Sequence, residues 1–151
     1  MNSKLKKSAS DITEILIQLN LPPIPSQIIS YLLINNPEGA TSSEIEKDLN
    51  VSKGSVSGAV NYLEALELIG FQSRKSSRSR YIYLKPLKIA NYLKRRMSFF
   101  SKLTESLKVV IDNKEDGNFT SEINQVTKLC SQLDILVNQT IREWEDSINE
   151  K

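Results

Sequence analysis

The sequence predicts a mainly α-helical chain with a small β-wing: a winged helix-turn-helix followed by long C-terminal dimerisation helices. Three observations carry this. Residues 41–71 read TSSEIEKDLNVSKGSVSGAVNYLEALELIGF, two amphipathic stretches joined by a short turn, as in a helix-turn-helix. Residues 73–84 read SRKSSRSRYIYL, a cationic turn running into a strongly β-prone segment. Beyond Pro86, apolar residues recur at spacings of three and four over two long stretches. The expected organisation is an N-terminal packing or dimerisation helix in 1–24, a DNA-binding winged helix in 25–86 and a helical dimerisation region in 87–151.

The first element is a short helix over Ala9–Asn20, with Ile12, Ile15, Leu16 and Leu19 along one side. Leu21-Pro22-Pro23-Ile24-Pro25 breaks it, because proline removes donors and restricts the residue before it. A second helix, from about Ser26 to Ile34, carries Ile28, Ile29, Leu32 and Leu33. Asn35-Asn36-Pro37-Glu38-Gly39 ends it in a turn.

Thr41, followed three residues later by Glu44, forms a capping-box pattern at the start of the third helix. Ile45 and Leu49 are its core residues, and Asn50-Val51-Ser52 is the turn, with Ser52 a candidate N-cap. The recognition helix is expected over 53–69, with Val56, Ala59, Val60, Leu63 and Leu66 facing inward. At 100° per residue, Gly54, Ser57, Gly58, Asn61 and Ala65 project the other way. Two glycines in a helix each cost up to about 1 kcal/mol relative to alanine. A face this small lets a helix sit deep in a major groove; the plainer alternative is that Gly58 admits a neighbouring helix. Ser52, Lys53, Gly54 and Ser55 at the N-terminus suit phosphates, while Ser57 and Asn61 suit base edges, asparagine typically reading adenine.

The wing is expected over 71–84, with strands Phe71–Arg74 and Arg80–Leu84. Arg74, Lys75, Arg78 and Arg80 fall within seven residues at its tip, a density of cations that a merely soluble hairpin does not need. After Pro86, one helix is expected from Leu87 to Ile111, then a loop over 113–118, then a helix from Phe119 to Ile148. Leu93, Met97, Phe100, Leu107, Ile123, Leu133, Val137 and Trp144 lie on their apolar stripes and are the candidate dimer interface. These helices carry more apolar surface than a winged helix can cover, and a two-fold homodimer is the simplest solution.

Charge follows the same division. Residues 1–46 carry three Lys against five acids, residues 47–102 twelve Lys/Arg against three, and residues 103–151 five against ten. The net +9 of the middle block coincides with the recognition helix, the wing and the helix after it, and implies a polyanion partner. With 39% apolar and 25% charged residues the chain has an ordinary globular composition, and no long apolar run suggests a membrane span. No apolar segment follows the basic N-terminus as in a signal peptide, so a cytoplasmic location is expected.

Chemistry is argued against by what is missing. There is no histidine, hence no ready general base, and a single cysteine cannot build a zinc site alone. None of the five glycines sits in a phosphate-cradling loop. Neither enzymatic activity nor a cofactor is expected. Cys130, mid-stripe between Val126 and Leu133, reads as a small core residue rather than a redox sensor.

The segment from Pro25 to Pro86 resembles the GbsR branch of the MarR-type winged-helix regulators. The residues that carry the resemblance are the Val51–Ser57 run VSKGSVS, Tyr62–Leu66 (YLEAL) and Gly70, in about two-fifths of the chain. The resemblance implies a dimeric bacterial or archaeal transcription regulator, often a repressor. Wings of related proteins often end in a Gly-Asp-Arg-Arg-like tip, whereas Lys75-Ser76-Ser77-Arg78-Ser79-Arg80 stands here, with Arg78 and Arg80 matching the arginines. Some relatives sense choline-like osmoprotectants through aromatic boxes. Tyr92, Phe99, Phe100, Phe119 and Trp144 are the aromatics available for such a cage, although aromatics at helical spacing are ordinarily core. A small-molecule effector is therefore left unassigned.

The functional expectation is a homodimer that binds double-stranded DNA sequence-specifically at an inverted repeat, with half-sites about 34–36 Å apart. Two other readings compete: a winged helix that binds another protein and no DNA, and a non-specific architectural DNA-binding protein.

Overall fold

Among the residues that the computed structural model describes (3–34, 38–74, 79–115 and 117–149), the order of elements is α1 (Ser3–Gln18), α2 (Pro23–Ile34), β1 (Ala40–Thr41), α3 (Ser42–Leu49), α4 (Lys53–Ala65), β2 (Ile69–Ser73), β3 (Arg80–Leu84), a 3-10 turn (Pro86–Lys88), α5 (Ile89–Met97), α6 (Phe99–Asp112) and α7 (Asn118–Asn149). The chain is mainly α with a small wing, as the sequence predicts. It divides into two units, one up to Ile89 and one from Ala90 onward.

In the first unit α2 is the central element. Ile28, Ile29 and Leu32 are almost wholly buried, with α1, α3, α4 and β3 packed around them. The helix starts at Pro23, earlier than expected. Pro23 and Pro25 fall in its first turn, where a missing N–H costs nothing and a fixed φ suits the helix. Ser26, buried beside them, donates its hydroxyl to the Pro22 carbonyl at 2.9 Å. Two hydroxyl bonds tie the neighbouring helices to α2: Thr13 to Ser30 and Tyr31 to Asp48, both 2.8 Å. Helix α1 begins at Ser3 rather than Ala9, since its Lys- and Ala-containing first turns favour helix although they carry no apolar stripe.

The capping box forms as predicted, with Thr41 N–H donating to Glu44 Oε2 at 2.7 Å and Glu44 N–H to Thr41 Oγ1 at 3.3 Å. Helix α4 buries Val56, Ala59, Val60 and Leu63. It ends at Ala65, four residues before the expected Ile69. Glu67 takes a left-handed conformation (φ 60°). Its N–H bonds to Glu64 O at 2.8 Å, and that of Leu68 reaches back to Leu63 O at 3.0 Å. That pairing is the Schellman stop, usually made by glycine. Released from the helix, Ile69 and Gly70 begin β2 instead.

The sheet has the order β1-β3-β2, all antiparallel, with Phe71 opposite Ile82 and Ala40 opposite the other edge of Ile82. The two-residue strand β1 is not expected from the sequence. It is possible because Gly39 adopts φ +99° and lies so close to β3 that a Cβ there would stand 2.6 Å from the Ile82 carbonyl oxygen.

In the second unit, the single helix expected over Leu87–Ile111 is instead a 3-10 turn, α5 and α6, with the break at Ser98. The Ser98 hydroxyl donates to the Arg95 carbonyl at 2.7 Å, competing with the helical ladder. Helices α6 and α7 form an antiparallel hairpin. Its buried residues are unusual: Thr104 on α6, and Thr120, Thr127 and Cys130 on α7. Thr120 and Thr127 satisfy their hydroxyls on Glu115 and Ile123 carbonyls, both at 2.8 Å, while the Thr104 hydroxyl has no partner.

Candidate nucleic-acid interface

The local geometry of α4 follows from its N-cap. Ser52 Oγ accepts from the Ser55 N–H at 3.2 Å and lies 2.8 Å from Ser55 Oγ, so these two hydroxyls are committed to each other and to the helix start. Lys53 and Gly54 follow, both exposed, at the end where free N–H groups and the helix dipole favour an anion. Along the outer face Ser57, Gly58 and Asn61 are exposed, and a Cβ built on Gly58 would meet nothing within 4 Å. Among the described residues, no neighbouring helix explains Gly58. Tyr62, on the flank of this face with Ser55, is also 37% exposed, although from the sequence it carries only a motif role. A helical wheel finds it: seven residues separate it from Ser55, two turns along the same side.

The wing cations are not equivalent. The Arg80 guanidinium stacks on the Phe71 ring with its carbon 3.7 Å from the centroid, and the residue is exposed. Arg74 is engaged within the fold. It lies 4.1 Å from the Tyr81 centroid, and its Nη2 donates to the Glu38 carbonyl at 3.2 Å and lies 3.6 Å from Glu38 Oε2. Lys75 and Arg78, also expected at the wing tip, lie outside the described residues. Tyr83 folds across Gly70, where a Cβ would come within 2.5 Å of its ring, so glycine at this position makes room for the aromatic.

The candidate dimer residues fall in two groups. Leu93 and Trp144 are each 38% exposed. Met97, Phe100, Leu107, Ile123, Leu133 and Val137 are half-buried within their own unit. Other apolar side chains of these helices, outside the candidate dimer set, are more open: Phe99, Val109, Phe119, Leu129, Ile135 and Leu136 are all at least half exposed. The aromatics weighed as a cage do not converge among the described residues. Tyr92 is buried with Arg96 against it, donating to its hydroxyl at 3.1 Å, and Phe99 stacks only on its chain neighbour Phe100. Cys130 is buried, as a core residue should be.

A helix-turn-helix whose second helix presents a polar outer face, followed by a cation-bearing antiparallel hairpin, defines the class of winged-helix proteins. Residues 19–79 match the MarR family model MarR_2; the match does not single out the GbsR branch. Solved structures share the fold. A crystal structure of a transcriptional regulator aligns over 95% of this chain and 99% of that one, at 16% identity and a TM-score of 0.64. The S. aureus MepR–DNA complex aligns over 85% and 89%, at 20% identity and a TM-score of 0.45. Transcriptional regulator Tm0710 from Thermotoga maritima aligns over 94% and 92%, at 18% identity and a TM-score of 0.45. No curated protein sequence matches this chain.

Proposed function

We propose that this chain is a cytoplasmic transcription regulator that binds double-stranded DNA sequence-specifically as a homodimer. Helix α4 lies in a major groove and the wing follows the flanking backbone. The observation that carries the reading is the outer face of α4. Gly54, Ser57, Gly58 and Asn61 are exposed opposite the buried stripe, with open space over Gly58. Asn61 and Ser57 then reach base edges, while Lys53 and the N–H groups of the first turn meet phosphate. Arg80 supplies an exposed cation on the described part of the wing; Lys75 and Arg78, expected beside it from the sequence, lie outside the described residues.

The large apolar side chains left exposed on α6 and α7 support self-association, because apolar surface of this kind is costly to leave in water. Two-fold symmetry calls for an inverted-repeat operator, and a dimer seated there represses by excluding polymerase. The GbsR resemblance belongs to this reading through the VSKGSVS run at 51–57, which forms the turn and first turns of α4.

Fluorescence anisotropy on DNA from upstream of its own gene, at near-physiological salt with excess random duplex, tests the proposal. Binding that survives the competitor supports a specific regulator. Binding that the competitor removes favours an architectural protein or an operator elsewhere. Absence of binding even at low salt overturns the DNA reading in favour of a protein-interaction module.

A further inference from the structure

A side chain of β2 and one just after its end converge on one backbone oxygen. Gln72 Nε2 donates to the Glu38 carbonyl at 2.7 Å, and Arg74 Nη2 donates to the same atom at 3.2 Å. Residues two apart on a strand share a face, and a carbonyl oxygen has two lone pairs, so both bonds form together. The Arg74 guanidinium is held from another side by the Tyr81 ring on β3. The Glu38 carboxylate adds little, since its side chain is 84% exposed and such pairs are screened.

What the carbonyl belongs to gives the arrangement its meaning. Glu38 precedes Gly39, which lies tight against the Ile82 carbonyl, and Ala40–Thr41, which pair with Ile82 and Tyr81. Thr41 is in turn the N-cap of α3. One short run of chain, 38–44, is thus bonded to β2, paired with β3 and continuous with the first helix of the helix-turn-helix.

We propose that Gln72 and Arg74 are positioning residues that fasten the base of the wing to the segment entering α3, and that Arg74 is not a phosphate contact. The inference rests on the DNA-binding reading and corrects one residue of it: of the two described wing arginines, Arg80 meets the polyanion and Arg74 sets where the wing stands. The chemistry separates the two roles. A phosphate contact releases counterions, so its loss lowers the slope of log K against log salt by about one, whereas loss of a positioning bond lowers affinity at constant slope.

The test is a salt titration of binding to random-sequence duplex for the full chain and for Gln72→Ala, Arg74→Ala and Arg80→Ala. Amide hydrogen exchange over β2 and β3 in the DNA-free proteins accompanies it. Gln72→Ala and Arg74→Ala should each weaken binding about threefold to tenfold with the slope unchanged, the size of one lost hydrogen bond. They should also speed exchange at 71–73 while leaving the overall melting temperature within a few degrees. Arg80→Ala should lower the slope by about one. A slope lost by Arg74→Ala as by Arg80→Ala overturns the proposal. So does unchanged exchange in the double variant Gln72→Ala/Arg74→Ala. If the unsubstituted protein binds no duplex, it is the DNA reading that has failed, and exchange alone decides whether the wing is fastened in this way.

Discussion

The two units of the chain leave very different surfaces uncovered. In the first, Ile28, Ile45, Val56 and Leu63 are fully enclosed, and the exposed face of α4 includes glycine, serine and asparagine. In the second, the buried positions of α6 and α7 are three threonines and a cysteine, while Val109, Phe119, Ile135 and Leu136 are about three-fifths exposed. A four-helix unit with a small sheet closes around α2 from several sides, whereas a helical hairpin buries only the face each helix turns to the other. The first unit has finished its own core. The second has its small residues inside and large apolar ones left exposed.

Leu63→Ala is the most damaging way to probe this difference. The side chain is fully enclosed, so its loss leaves a cavity and should cost about 2–5 kcal/mol in urea denaturation. Leu136→Glu in α7 should act on assembly instead. A carboxylate at this open apolar position should raise the dimer dissociation constant about tenfold or more by sedimentation, with the helical content of the chain unchanged. If Leu136→Glu unfolds the second unit as thoroughly as Leu63→Ala unfolds the first, the contrast between the units is wrong.

The first unit was also the more legible. The capping box at Thr41 and Glu44, the inward stripe of α4 and the strand Arg80–Leu84 were all readable, because cap chemistry and periodicity are local. Left-handed helix stops explain where reading held and where it failed. Asn20 and Asn50 end α1 and α3 at φ 62° and 53°, and asparagine is a recognisable stop. Glu67 ends α4 in the same way, but glutamate gives no such signal, so the helix was extended toward Gly70, the nearest glycine. Strand β1 was hidden because two residues carry no period. Engagement of Arg74 by the Glu38 carbonyl was hidden because residues 36 apart in sequence meet only in the fold. In the second unit the apolar stripes are legible, with Phe99, Leu129 and Leu136 at their edges, yet which of these residues stay exposed is not, since periodicity alone does not say which side of a wide stripe faces the neighbouring helix.

Gly58→Ala sharpens the comparison on its other side, the uncovered face of α4. Among the described residues nothing occupies the space, so alanine should raise stability by about 1 kcal/mol through helix propensity alone. The same methyl would stand between the helix and a groove, so DNA affinity should fall while the melting temperature rises. A variant that is both more stable and equally tight on DNA would show that this face is not the reading face.

The smallest expected effect concerns the residue that ends that helix. A left-handed conformation costs a non-glycine residue about 1–2 kcal/mol, and glycine returns part of this gain through its greater freedom in the unfolded chain. Glu67→Gly should therefore stabilise the first unit by about 0.5–1 kcal/mol in a thermal melt. The substitution also removes a negative charge from the most basic block of the sequence, which alone could change the melt. Glu67→Gln separates the two causes, because it removes the charge and keeps the Cβ. Equal melting temperatures for the two variants would mean that φ 60° at Glu67 stores no strain. A higher one for Glu67→Gly would show that the stop is held against the residue's own preference, by the enclosed packing of Leu63 and Leu68 on either side of it.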